Sequence, residues 1–177
     1  MPSTVRLRPV RPDDLPWLEA LDASAEADPG GFDWFGFEPH GWLRRRFDHD
    51  GLLGEDAGRL LVQLPDGTRV GEVSYHARQY GRSAANRAFN IGVVIAAEHR
   101  GRGYGSAAQR LLARYLFAHT LVERVEAATD VDNLAEQRAL EAAGFTREGV
   151  ARRAQFRDGA WHDLVVYSRL RGDQPPG

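Results

Sequence analysis

The chain has 177 residues, 42% of them hydrophobic, with 23 Lys and Arg against 25 Asp and Glu for a formal net charge of -2. That length suits one domain with a proper core, and the near balance of charge supplies no global field for nucleic acid or a membrane surface. There is no cysteine, which excludes disulfides, thiolate nucleophiles and zinc–thiolate sites together.

The opening MPSTVRLRPV lacks the apolar run of a signal peptide, and no segment approaches the ~20 apolar residues of a membrane span. A cytoplasmic protein with no membrane or nucleic-acid partner is expected. TVRLRPV alternates and predicts a first strand closed by Pro9. A helix follows, with Asp13 as its N-cap and Leu15, Leu18 and Leu21 on one face. Residues 29–42, PGGFDWFGFEPHGW, predict an aromatic loop, and residues 42–49 another turn or two of helix. RLLVQLPDGTRVGEVSYHA predicts a hairpin turning at Pro65-Asp66-Gly67, and NRAFNIGVVIA and VERVEAATD predict two further strands. Between those two strands, Ala108, Leu111, Leu112, Tyr115, Leu116 and His119 recur on one helical face. NLAEQRALEAAGF predicts a helix capped by Asn133 and ended by Gly144, and the last two strands turn at Asp158-Gly159. The order β α α β β β α β α β β predicts a mixed α/β domain over residues 1–170, with 171–177 as a frayed tail.

EHRGRGYGSAAQR, residues 98–110, sits between a strand and a helix start. A helix start presents unpaired N–H groups and partial positive charge, and Gly101, Gly103 and Gly105 let an anion approach them. The spacing fits neither G-x-G-x-x-G nor a phosphate loop ending G-K-[ST], and the turn alone reads equally as a tight connection that binds nothing.

Its surroundings add more. IGVVIAAEHRGRGYGSAAQRLL, VERVEAATDVDNLAEQRALEAAGF and DGAWHDLVVYSRL closely resemble, in order, the GNAT superfamily of acyl-CoA-dependent N-acetyltransferases, within it the RimJ/RimL branch. The resemblance implies one mostly antiparallel sheet of about seven strands, flanked by about four helices and splayed at its centre over an acyl-CoA site. It implies that Arg100, Gly101, Arg102, Gly103, Tyr104, Gly105 and Ser106 hold the pyrophosphate of acetyl-CoA, the acetyl donor, and that the backbone of Val93, Val94 and Ile95 pairs with pantetheine. Asn133 matches an asparagine that contacts the same arm, which competes with its role as a helix cap. A homodimer through the last strands is expected by the same analogy, and no metal.

Moving an acetyl group to an amine needs a neutral amine, a stabilised carbonyl oxygen and a proton route. The branch often carries glutamate where this chain has Asn90, and many members carry tyrosine where it has Leu140. Asn90 cannot take a proton. Glu72, Ser74 and His76 alternate onto one face of the neighbouring strand, so Glu72 and His76 are the substitute bases, against a plain reading as solvated strand residues. His162 and Asp163 are adjacent on a strand, point to opposite faces and form no dyad; they are structural or acceptor-edge residues.

From residue 13 to 38 the chain has eight acidic residues and no Lys or Arg, a field that suits a cationic acceptor or simply a solvated helix face. Asp33, Trp34, Phe35, Phe37 and Glu38 combine aromatic walls with carboxylates, as an amine on an apolar body would need, though such aromatics also serve packing or a dimer contact. The reading is an N-acetyltransferase for a small-molecule primary amine in a ternary complex. Its alternatives are a protein N-terminal acetyltransferase and a non-catalytic acyl-CoA sensor.

Overall fold

Strand β1 (Arg6–Pro9) pairs with β2 (Ala57–Gln63), which folds back on β3 (Arg69–Gln79) through the turn that Pro65-Asp66-Gly67 predicts. Asp66 accepts the Thr68 N–H at 2.9 Å, and Gly67 supplies the positive φ of 97°. In the computed structural model, which describes residues 5–26, 31–32 and 36–173, the sheet continues with β4 (Arg87–Ile95), β5 (Arg124–Asp130), β7 (Ala160–Leu170) and β6 (Thr146–Arg157). The seven strands run in the order β1-β2-β3-β4-β5-β7-β6. Every neighbouring pair is antiparallel except β4 and β5.

Each face of the sheet carries its own helices. On one face, α3 (Tyr104–His119) and α4 (Leu134–Ala142) pack with Val73, Tyr75, Phe89, Ile91, Val125 and Val165. On the other, α1 (Leu15–Glu26) and α2 (Trp42–Asp50) cover Leu61, Val94 and Ala96, with Leu15, Leu18, Leu21 and Leu43 at the contact. Burying such side chains is worth ~1.5–3 kcal/mol each. Leu140, in the family's tyrosine position, is fully buried in the first core. The α3 face differs from its apolar periodicity: Ala108, Gln109, Leu112, Ala113 and Leu116 are buried, while His119 is exposed at the helix end. The helix is thus rolled toward α4, where Arg110 donates to the Ala142 carbonyl at 3.2 Å.

Two expectations about chain ends are corrected. The helix does not begin on Asp13; a 3-10 turn over Pro12–Asp14 precedes α1, and buried Asp14 is the organising carboxylate. Asp14 accepts from the Arg11 N–H at 2.8 Å, from Arg8 at 2.6 and 2.8 Å and from Arg69 at 2.8 Å. Nor is the start of the tail frayed. Arg171 donates to the carbonyls of Phe117, Thr120 and Val122 at 2.6–2.7 Å, satisfying groups at the end of α3, and Asp173 accepts the Leu170 N–H at 2.8 Å.

The Arg8 bond, with further help from Arg11 and Arg69, holds the Asp14 carboxyl well below the usual carboxylate range. Asp14→Asn is expected to lower stability by about 2 kcal/mol at neutral pH, as loss of hydrogen bonds to a charged group does. A depressed folded-state pKa contributes stability in full above the unfolded value of ~3.9 and loses it as pH falls toward the folded one. Urea midpoints of the two proteins should therefore converge on acidification below about pH 4.

Candidate active site

The parallel pairing of β4 and β5 stops after Phe89↔Val125 and Asn90↔Glu126, so the two strands fork beyond Asn90. Which β4 groups face that fork follows from the other edge. The Ala96 N–H donates to Val70 at 3.0 Å on β3, and antiparallel partners alternate between bonded and non-bonded pairs. Val94 and Gly92 therefore turn their backbone toward β3, while Ile91, Val93 and Ile95 turn theirs into the fork. Of the three expected strand residues, Val93 and Ile95 turn their backbone into the fork, as does Ile91, which sequence reasoning missed, whereas Val94 turns toward β3.

The fork opens toward the glycine turn. Gly101 and Gly103 have φ of 73° and 77°, and a Cβ built on either meets nothing within 4 Å. Glycine is needed here for backbone conformation and leaves open space above the chain. The first turn of α3 has no side-chain cap, and its first bond runs from the Ala107 N–H to Gly103. The amides of Tyr104, Gly105 and Ser106 are left for an anion. Arg100 and Arg102 are exposed and bend back, Arg100 Nε donating to the Ile95 carbonyl at 3.0 Å and Arg102 to the Glu98 carbonyl at 3.1 Å. Asn133 caps α4 by accepting the Glu136 N–H at 3.2 Å through Oδ1, which leaves the other end of its amide out of the cap. The two roles expected of Asn133 are compatible.

On the α1/α2 face, side chains fall into rows across β3, β4 and β5. Ser74, Gly92 and, by count from the last paired residues, Ala128 make a row of small side chains; Gly92 and Ala128 are exposed. This is a trough crossing the fork. One wall is the row His76, Asn90 and Glu126, and the other is Glu72, Val94 and Asp130.

The carboxylates of those walls are engaged. Glu72 is 4% exposed and both its oxygens are held by Arg59, which also pairs with Asp22 of α1 at 2.8 Å and lies over the Trp42 ring. Burial pushes the Glu72 carboxyl up, against the pull of Arg59. The expected solvated residue or free base is thus an internal counter-ion, because α1 and Arg59 cover the strand there. Glu126 is buried and accepts from the Tyr80 hydroxyl and from Arg124. Asp130 is buried against Arg157 at 2.7 Å, with His162 Nδ1 at 3.1 Å. Burial raises the Asp130 carboxyl, but the Asp132 N–H and Arg157 outweigh that and hold it below its ordinary value.

His162 and Asp163 do diverge as alternation requires, Asp163 accepting the Arg153 N–H at 2.8 Å. The acidic partner of His162, Asp130, comes from another strand and was missed. His76 is exposed beside Asn90, and burial of its ring, then Arg78, push its pKa down. Of the aromatic loop, Asp33, Trp34 and Phe35 lie outside the described residues; Phe37 is 82% exposed and Glu38 is exposed. Phe32 sits 5.6 Å from the Arg157 guanidinium, which also donates to its carbonyl at 3.4 Å. Among the described residues no cluster of three His, Asp or Glu side chains could hold a metal.

The model of the acetyltransferase (GNAT) domain matches residues 4–146, and the chain belongs to that family. Bacillus subtilis YdaF, provisionally named a ribosomal N-acetyltransferase, is 35% identical over 130 residues, covering 73% of this chain and 65% of that protein. Bacillus subtilis YjcK, named as a probable N-acetyltransferase, is 37% identical over 113 residues, covering 64% of this chain and 61% of its own. The chain thus spans less than two thirds of the length of these relatives. The crystal structure of spermidine N-acetyltransferase from Vibrio cholerae, in complex with CoA and spermine, has the same fold, with a TM-score of 0.81 at 19% identity over 97% of this chain and 98% of that one.

Proposed function

We propose that the protein is an acetyl-CoA-dependent N-acetyltransferase whose acceptor is the primary amine of a small cationic molecule. The observation that carries this reading is the open trough of Ser74, Gly92 and Ala128, which meets the fork from the face opposite α3. Acetyl-CoA enters with its pyrophosphate on the amides of Gly103, Tyr104, Gly105 and Ser106, near Arg100, Gly101 and Arg102. Its arm runs along the exposed edge of β4 as an added strand would, with the Asn133 amide within the same mouth. The N–H groups of Val93 and Ile91 face the thioester and stabilise the oxygen that becomes anionic on attack.

The amine reaches the carbonyl carbon through the trough, forms the new C–N bond and breaks the C–S bond, so that CoA leaves as its thiolate and the attacking nitrogen sheds one proton. His76 receives that proton through a water held by Asn90. Its depressed pKa keeps the ring neutral at pH 7 and ready to accept. Glu72 acts through Arg59, shaping the wall rather than taking the proton. The acidic run on α1 and Glu38 favour a cationic acceptor by their field.

If His76 must be neutral, kcat stays level at neutral pH and falls as pH drops through a value below the ordinary ~6.5 of histidine. His76→Gln should remove that limb and lower the plateau about tenfold, less than a directly contacting base would cost. A pH profile of kcat for both proteins checks this.

Release of CoA thiol from acetyl-CoA, against polyamines, amino sugars, aminoglycosides, amino acids and short peptides, tests the whole reading. The chain has no cysteine, so every new thiol is that of CoA. Release dependent on small amines supports the proposal. Release only with peptides would transfer the assignment to a protein N-terminus, the reading that the name of YdaF favours. Binding of acetyl-CoA without any release would make the chain a sensor.

A further inference from the structure

Behind Asn90, on the α1/α2 face, stands a group of charged and aromatic side chains that neither the donor nor the proton route uses. Glu126 lies beside Asn90 in the last paired row before the fork and is 1% exposed. Arg124 donates to it and also to Glu148, through Nη1 at 2.7 Å, and Arg78 stands 3.9 Å from it. A further partner is the hydroxyl of Tyr80, which donates to Glu126 Oε1. Tyr80 itself is 57% exposed, an uncommon setting for a ring whose polar end is tied to a buried carboxylate.

The sheet register fixes how that ring lies. Arg78 pairs with Ala88, and Ala88 and Arg124 fall one step before Phe89↔Val125. The three therefore form a row across β3, β4 and β5, two residues behind His76, Asn90 and Glu126 and on the same face. The guanidinium carbons of Arg78 and Arg124 are 5.5 and 6.0 Å from the Tyr80 ring centre, so the ring stands over β4 between two cations. Beneath it is Ala88, 1% exposed although it belongs to neither helix-covered core. The Tyr80 backbone lies further back, its N–H donating to the Asn86 carbonyl at 3.0 Å. From the level of Asn86, past Ala88, to the level of Asn90, the side chain runs along β4 toward the fork with its hydroxyl leading. Gly92 is the next residue of β4 on this face, so the hydroxyl ends on the wall of the trough.

We infer that Tyr80 contacts the acceptor: its hydroxyl oxygen accepts one N–H of the attacking amine and so aims the nitrogen lone pair at the thioester carbonyl. The O–H is committed to Glu126, which leaves the oxygen with a lone pair for a donor in the trough. A neutral primary amine has two N–H groups to place, one on Tyr80 and one on the water beside Asn90 that leads to His76. Burial, then Glu126, push the Tyr80 phenol up, so the hydroxyl keeps its proton and orients the amine without taking part in the proton transfer. Glu126, Arg78 and Arg124 act through the ring and are positioning residues. This inference rests on the reading of the trough as the path of the amine.

Tyr80→Phe keeps the ring between its guanidiniums and removes the hydroxyl alone, whereas Tyr80→Leu removes both. The readout is thiol release with the small amine of the panel above that wild type turns over fastest. Its kcat/KM should fall about tenfold in both variants, the loss of one hydrogen bond to the reacting nitrogen. The Kd for acetyl-CoA, by titration calorimetry, should not change. If the ring only shields the sheet, Tyr80→Phe matches wild type and Tyr80→Leu alone falls, which overturns the inference. Weaker acetyl-CoA binding in step with the lost kcat/KM also overturns it, because Tyr80 would then act through the shape of the fork. Wild-type protein that binds acetyl-CoA but releases thiol with no amine removes the acetyltransferase reading and this inference with it. Turnover that is indifferent to Tyr80→Phe removes the inference alone.

Discussion

Gly92→Val is expected to reduce kcat/KM for the acceptor amine by about a hundredfold while leaving acetyl-CoA affinity within a few-fold of wild type. A Cβ on Gly92 already stands 3.0 Å from Ser74 Oγ, and two further methyl groups fill the middle of the trough. The backbone can accept valine, since Gly92 lies inside β4 and has no positive φ. The side chain points to the α1/α2 face, whereas the donor edge of β4 is presented by its neighbours Ile91 and Val93. Misplacing a reacting atom by about 1 Å costs on the order of a hundredfold, and valine displaces the amine by at least that. Steady-state kinetics against acceptor concentration, with calorimetric titration of acetyl-CoA, separates the two ligands. Equal loss of both would place the donor, not the amine, over Gly92, and no loss of either would remove the trough from the mechanism.

How far the sequence alone reaches depends on whether a feature is local. The order of the elements, the hairpin turns at Asp66-Gly67 and Asp158-Gly159 and the glycine-rich start of α3 are written in adjacent residues, and each forms where expected. The face on which a strand residue lies is also local, which is why Glu72 and His76 do share one. What covers that face is not local. Glu72 is buried because Arg59, 13 residues away, and Asp22, 37 residues from Arg59, close over it. Glu126 and Asp130 were passed over because their partners, Tyr80, Arg157 and His162, come from other strands or their ends. Gln109 was missed for a different reason: a periodicity built on apolar residues steps over a polar one, and it chose Leu111 and Tyr115 where the helix in fact turns Gln109 and Ala113 inward.

The Asp130–Arg157 pair is a buried ion pair in one wall of the proposed trough, and the same guanidinium holds Phe32 of the aromatic loop. Arg157 is 5% exposed, and its guanidinium is shared among Asp130 at 2.7 Å, Gln155 at 2.7 Å and the carbonyl and ring of Phe32. Arg157→Met keeps much of the side-chain volume but leaves the Asp130 carboxylate buried with only His162 and backbone beside it. Breaking a buried pair from one side costs about 3–5 kcal/mol, which for a chain of this size lowers the melting temperature on the order of 10 °C. Because burial pushes the Asp130 carboxyl up and Arg157 helps to hold it down, removal of Arg157 lets the stranded carboxyl take a proton at a higher pH than in wild type, so this loss is largest at neutral pH and shrinks on acidification. Adding Asp130→Asn to Arg157→Met removes the stranded charge and should recover part of the stability, a non-additivity that two independent surface changes would not give. If Phe32 borders the acceptor, as the aromatic loop is expected to, both variants should show a raised acceptor KM, since the contact between Arg157 and Phe32 is absent from both. Recovery of KM together with stability would mean that the aromatic loop is held by the fold as a whole, with Arg157 contributing charge balance alone.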